Sequence, residues 1–172
     1  MIPPINLKQW VEDNRDKLKP PVGNKVVYKD TEFIIMVVGG PNARKDFHYN
    51  EGEEFFYQIE GDISLPTIQN GKVITYDIKE GEIFLLPARV PHSPQRPANT
   101  VGLVIERMRT PEELDYCMWY CESCNHELYK KPFQLGDIVK QLPKILNEYY
   151  ATPELVTCEK CGTVMDEPKI KL

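Results

Sequence analysis

The stretch from Val26 to Arg109 is a succession of short apolar runs cut by turn residues, and that punctuation restricts the fold more than any other feature of the chain. The runs are VVY, FIIMVV, EFFYQI, ISLPTI, VITYDI, EIFLLP and VGLVIE, all rich in β-branched and aromatic residues. Gly39-Gly40, Gly61-Asp62, Asn70-Gly71 and Glu80-Gly81 separate them. Asn70-Gly71 is the clearest hairpin signal, because both residues accept the positive φ that a two-residue turn demands. Short strands at near-regular intervals with turns between them predict an all-β sandwich or barrel.

The flanks differ. Asn6 can cap a short helix whose Leu7, Trp10, Val11 and Leu18 follow a 3.6-residue period, and Pro20-Pro21 would stop it. After Thr110-Pro111 a charged linker leads to one cysteine pair, then to a helix expected near 137–150 and interrupted at Pro143, and then to a second pair. The expected division is therefore 1–24 as helix and lead-in, 25–110 as barrel, and 111–172 as C-terminal segment. A chain of 172 residues has room for one such domain and a small appendage. With 41% hydrophobic and 27% charged residues, and no apolar stretch near the roughly 20 residues a bilayer demands, a soluble protein without membrane contact is expected. The first residues have no apolar or Arg/Ser-rich targeting character, so the expected location is cytoplasmic. A net charge of -5 with interspersed signs offers no stripe for a phosphate backbone, so nucleic acid is not an expected partner.

The chain has three histidines, and two of them, His48 and His92, lie beside β-type runs among polar neighbours. A turn through 50–52 can bring Glu54 back beside His48, and the proline-stiffened stretch FLLPARVPH can aim His92 at the same centre. Two imidazoles and one carboxylate form a facial triad that leaves positions open on Fe(II) for a substrate and dioxygen. Strand alternation puts Arg44 on the face of His48, and Arg96 on the face of His92. An unpaired buried guanidinium is costly, so two of them beside a metal imply an anionic substrate. Glu106, inside the apolar run VGLVIE, is a candidate to accept a substrate proton or to anchor an arginine. The plain alternative is that these are edge-of-strand histidines and solvated arginines.

Of five cysteines, four fall as Cys121-x-x-Cys124 and Cys158-x-x-Cys161, a spacing suited to one tetrahedral metal with no open position, and so to a structural staple. Thiolates accept iron and zinc alike. Cys117 reads as a partly buried small hydrophobe near the barrel exit and His126 as a surface residue.

Two stretches resemble the paired cupin motifs. Gly81, Pro87 and His92 fall at the spacings of the second, with Arg89 where that motif has glycine and Arg96 where it has asparagine. Glu54 and Gly61 match the first, with Asn50 in place of its second histidine. Together with GGPNARKDFH, EFFYQIEGD, FLLPARVPHSPQR and WYCESCNHELY, this pattern resembles the 3-hydroxyanthranilate 3,4-dioxygenase family over nearly the whole chain. The resemblance implies an all-β-dominated, jelly-roll-like cupin barrel with a short N-terminal helix and a C-terminal segment stapled by the four-cysteine metal, iron or zinc. It implies Fe(II) on His48, Glu54 and His92, the substrate carboxylate on Arg44 and Arg96, and Glu106 near the amino and hydroxyl groups. Glu54 would also border the substrate, Arg44 would also border dioxygen, and Asn24 would reach the dioxygen side. A small aromatic amino-acid-like substrate, dioxygen and a homodimer follow as expected partners. The implied reaction opens the ring to 2-amino-3-carboxymuconate semialdehyde, toward quinolinate and NAD. Arg89 is left as either a gate or a surface charge. The rival readings are another cupin enzyme, which Asn50 speaks against, a non-catalytic acid-binding cupin, and an interaction module built on the cysteines.

Overall fold

The computed structural model describes residues 3–19, 23–42, 44–136 and 138–168. Helix α1 (Leu7–Asn14) starts where the Asn6 side chain accepts the Gln9 amide at 3.1 Å, and a 3-10 turn (Arg15–Leu18) continues it. Pro20-Pro21 lie outside the described residues. Val11 and Leu18 seat this element on Val37 and Val101, so it packs against the outside of the barrel.

The strands are β1 (Asn24–Val26), β2 (Phe33–Gly39), β3 (Phe47–Tyr49), β4 (Glu54–Glu60), β5 (Ile63–Gln69), β6 (Lys72–Ile78), β7 (Ile83–Leu86), β8 (Val101–Arg107), β9 (Asp115–Tyr120) and β10 (Glu127–Phe133). One antiparallel sheet has the order β1-β2-β8-β4-β7. The opposing wall joins β10-β9-β3 to the β5-β6 hairpin through the segment around 91–96, which bridges His48 to His92 on one side and Thr67 to His92 and Ser64 to Gln95 on the other. That segment is a strand in position but not in regular pairing, because Pro91, Pro94 and Pro97 have no N–H to give to a ladder. Phe56, Ile63, Leu65, Ile78, Leu86 and Val104 fill the space between the walls. The β5-β6 turn is made by Asn70 (φ 51°) and Gly71 (φ 72°), the left-handed pair that the sequence predicts there. The architecture is the strand-dominated, jelly-roll-like barrel expected from the sequence.

Two features beyond residue 110 differ from the expectation. The stretch read as a charged linker enters β9, which pairs with β3 and so continues the barrel wall. The helix α2 (Ile138–Tyr150) runs through Pro143 without interruption. Leu142, Ile145 and Tyr149 on α2 pack with Cys117 and Trp119 of β9, and Tyr149 stacks on Trp119 at 4.1 Å between ring centroids. Burial of that face, at roughly 1.5–3 kcal/mol per large apolar side chain, exceeds the roughly 3 kcal/mol that an interior proline costs. A short helix α3 (Pro153–Val156) then leads to the second cysteine pair. Among the described residues no helix is long and apolar enough to cross a membrane.

Candidate active site

His48 is the middle residue of β3, flanked by Cys117 of β9 and by His92. Glu54 opens β4 and lies in register with Glu106 of β8. One ligand atom from each of His48, Glu54 and His92 falls within 4.8 Å of the others. The His92 ring is set by its backbone neighbour, with Nδ1 lying 3.0 Å from the Val90 carbonyl. A proton on Nδ1 leaves Nε2 as a lone pair, and that lone pair lies 3.0 Å from Glu54 Oε2. Glu54 Oε2 is buried and accepts no hydrogen bond. Two electron-rich atoms at that separation, shut off from water, call for a proton or a cation between them. Burial opposes charge on both groups, yet their mutual attraction outweighs it: Glu54 raises the His92 pKa, and His92 lowers that of Glu54. The donor set therefore fits a divalent metal. His48 Nε2 lies 2.7 Å from Asp115 Oδ2, the carboxylate backing common for a metal-binding imidazole.

Arg96 is 3% exposed, and its guanidinium donates to the neutral amide of Gln58 at 3.2 Å; no carboxylate within ion-pair distance is found among the described residues. Burial pulls its pKa down to about 10 despite Glu54 nearby. Gly102 makes room for this pair, since a Cβ there would lie 2.8 Å from both Arg96 Nη1 and Gln58 Oε1. The register of Thr67 with His92 and Ser64 with Gln95 is unbroken, so His92 and Arg96 share a face. Alternation between Arg44 and His48 is not so simple. Asn42 pairs with Arg96 and His48 with His92, which places a bulge between them. Arg44 senses Glu54 electrostatically but is already forked onto the buried Asp46, with Nε 3.0 Å from Oδ1. Its side chain is 18% exposed and borders a cleft of about 640 Å3 between the barrel and the C-terminal segment.

Glu106 is 5% exposed, and its Oε2 accepts from Arg109 at 2.6 Å and Asn50 at 3.1 Å. Burial first, and then Glu54, raise its pKa. Asn50, the position where the cupin motif has a histidine, thus holds a carboxylate instead of a metal. Sequence reasoning passed over Asp46, Gln58, Arg109 and Asp115. The signal available was the run Asp115, Cys117, Trp119, Cys121, whose two-residue period marks one buried face. Arg89 adopts φ 66°, which explains a glycine at that motif position, and its Nε reaches Glu51 at 2.6 Å. Asn24 lies in β1 opposite Val38. Cys117 is fully buried, and burial pushes its thiol up to about 12.

The four cysteines form a second cluster, all within 4.8 Å. Cys121 and Cys161 sulfurs are 3.5 Å apart, and those of Cys124 and Cys158 are 3.7 Å apart. Metal–sulfur bonds of about 2.3 Å in a tetrahedron put sulfurs roughly 3.8 Å apart. The two knuckles repeat one geometry. The Asn125 amide donates to the Cys121 carbonyl and the Gly162 amide to the Cys158 carbonyl, both at 2.8 Å, and Asn125 and Gly162 both have positive φ. His126 points instead to Glu159 at 3.1 Å.

A family model described as 3-hydroxyanthranilic acid dioxygenase matches residues 1–150. A protein of Xanthomonas oryzae pv. oryzae named 3-hydroxyanthranilate 3,4-dioxygenase is 51% identical over 169 residues, covering 98% of this chain and 96% of its own length. One of the same name from Bacillus thuringiensis is 48% identical over 164 residues, covering 95% and 92%. A solved cupin superfamily protein from Desulfitobacterium hafniense overlaps 50% of this chain and 76% of its own at 11% identity and a TM-score of 0.42. By the family match and these near full-length relatives, the chain belongs to the 3-hydroxyanthranilic acid dioxygenase family.

Proposed function

We propose that the chain cleaves the ring of 3-hydroxyanthranilate with both atoms of dioxygen, giving 2-amino-3-carboxymuconate semialdehyde on a route to quinolinate and NAD. The observation that carries the reading is the Glu54 and His92 pair of donors facing one another across 3.0 Å beside His48. In this reading His48, Glu54 and His92 would hold Fe(II), and the metal would supply the redox chemistry that lets an aromatic substrate react with dioxygen. Arg96 takes the substrate carboxylate, exchanging the weak Gln58 contact for a charge-assisted one. Arg44, held by Asp46, would border both substrate and dioxygen. Glu54 borders the substrate as well. Glu106 accepts the phenolic proton at its carboxylate, a role suited to a base whose pKa burial has raised. The apolar walls of Phe56, Leu86 and Val104 keep bulk water away.

The four-cysteine cluster is read as a structural iron or zinc site, with thiols kept free by a reducing, cytoplasmic setting. A homodimer is supported by the exposed outer face of the first sheet, where Ile83 is 66% exposed and Phe33 and Leu85 each 53%. The test is anaerobic Fe(II) loading followed by air and 3-hydroxyanthranilate, with absorbance and oxygen uptake followed together. One-to-one consumption is expected. Tight binding without oxygen uptake would move the protein to an acid-binding role, and neither binding nor turnover would leave the barrel alone.

A further inference from the structure

One guanidinium links the two halves of the candidate site. Arg109 follows β8 and folds back inside, its side chain 4% exposed. It forks onto Asp115, with Nε to Oδ1 and Nη2 to Oδ2 both at 2.8 Å, and the same Nη2 reaches Glu106 Oε2 at 2.6 Å. Its Nη1 is spent on the Arg107 carbonyl at 2.9 Å, which fixes the plane of the fork. Asp115, 0% exposed, lies against His48 Nε2 at 2.7 Å. Glu106 of β8 lies directly across from Glu54 of β4 and is steadied on its other side by Asn50. One planar cation thus holds two buried carboxylates, Glu106 of β8 and Asp115 of β9, and through Asp115 reaches the partly buried His48 of β3.

We propose that Arg109 is a positioning residue for ring cleavage: it orients Glu106 toward the substrate and, through Asp115, holds the His48 ring. The proposal rests on the reaction assigned above. A bidentate fork fixes direction as well as distance, whereas an ammonium offers a point charge on a flexible stem. Arg109→Lys should therefore keep the buried charge while losing the angles. Groups of this kind behind a metal ligand govern activity by roughly 10–100-fold.

The test compares wild type, Arg109→Lys and Arg109→Ala, all loaded anaerobically with Fe(II). The expected result for Arg109→Lys is a fall of at least about tenfold in kcat, with KM for 3-hydroxyanthranilate within about threefold. Guanidinium ion added to Arg109→Ala should restore part of kcat. In metal-free protein the imidazole nitrogen signals supply a readout independent of turnover. With three histidines to assign, the His48 resonances should shift or split in Arg109→Lys while those of His92 stay put. Wild-type kcat together with an unmoved His48 signal in Arg109→Lys would overturn the proposal. So would an activity loss that tracks only the unfolded fraction and shows no guanidinium rescue. If Arg109→Ala does not fold, the lysine variant decides alone. A wild-type protein that turns over no substrate defeats the assigned reaction, and the His48 signal still judges the positioning claim.

Discussion

Arg96 is the residue whose surroundings say most about what is missing from the site. A buried guanidinium held by one neutral amide has given up most of its hydration for little return. Arg96→Ala should raise KM for the aromatic acid by roughly 10–100-fold, the equivalent of one charge-assisted hydrogen bond at about 1.5–3 kcal/mol, and should leave the metal content of both sites intact. An unchanged KM would remove Arg96 from the substrate site. Gly102→Ala probes the same contact from behind, because its Cβ would meet Arg96 Nη1 and Gln58 Oε1 at 2.8 Å. It should raise KM in the same direction with kcat less affected, as measured by steady-state kinetics. These residues were legible at different depths. His48, Glu54, His92 and Arg96 show in the sequence because metal ligands and charges stand out against apolar runs. Arg109 and Asp115 do not, since an arginine and an aspartate near a proline read as solvent-exposed linker until the pairing of β9 with β3 turns them inward.

At the scale of elements, the hairpin of β5 and β6 was readable because its turn has only one inexpensive conformation, and that conformation needs an Asn-Gly type pair. The helix α2 was readable as a helix but not as an unbroken one. Proline removes a donor and crowds the preceding turn, and local rules therefore favour a break; the decision lies with Leu142, Ile145 and Tyr149, whose partners are distant in sequence. The local cost is still present. Pro143→Ala should stabilise the protein by about 1–3 kcal/mol, restoring one backbone hydrogen bond while leaving the packed face unchanged. Chemical denaturation of the metal-loaded protein checks this. A loss of stability would instead mean that the proline sets the path by which α2 meets Trp119. The Arg89 turn makes a similar case in the other direction. Its left-handed φ of 66° is disfavoured for arginine, while its ion pair with Glu51 is largely exposed, so neither contribution is large.

In the molecule as a whole, β9 joins both clusters. Asp115 backs His48 at one end, Cys117 and Trp119 follow on the same buried face, and Cys121 stands in the thiolate cluster immediately beyond the other end. A strand that touches both clusters is a route by which loss of one metal could reach the other. Its pairing argues against that: β9 is held on one side by β3 and on the other by the long ladder of β10, and neither ladder uses a metal ligand's side chain. Metal binding is folding energy chiefly for the segment it closes. For the four cysteines that segment is the return from Cys124 to Cys158, which α2 already fastens to the barrel through its own apolar face. Cys158→Ser should therefore lose the thiolate metal and lower Tm, while kcat per remaining iron stays within about twofold of wild type. His48→Ala should do the reverse, abolishing activity and its own metal while leaving the thiolate metal in place. Metal analysis of the two variants, read against thermal unfolding, checks both expectations at once. Loss of both metals in either variant would show that β9 couples the sites after all, and would make the C-terminal staple part of the catalytic machinery.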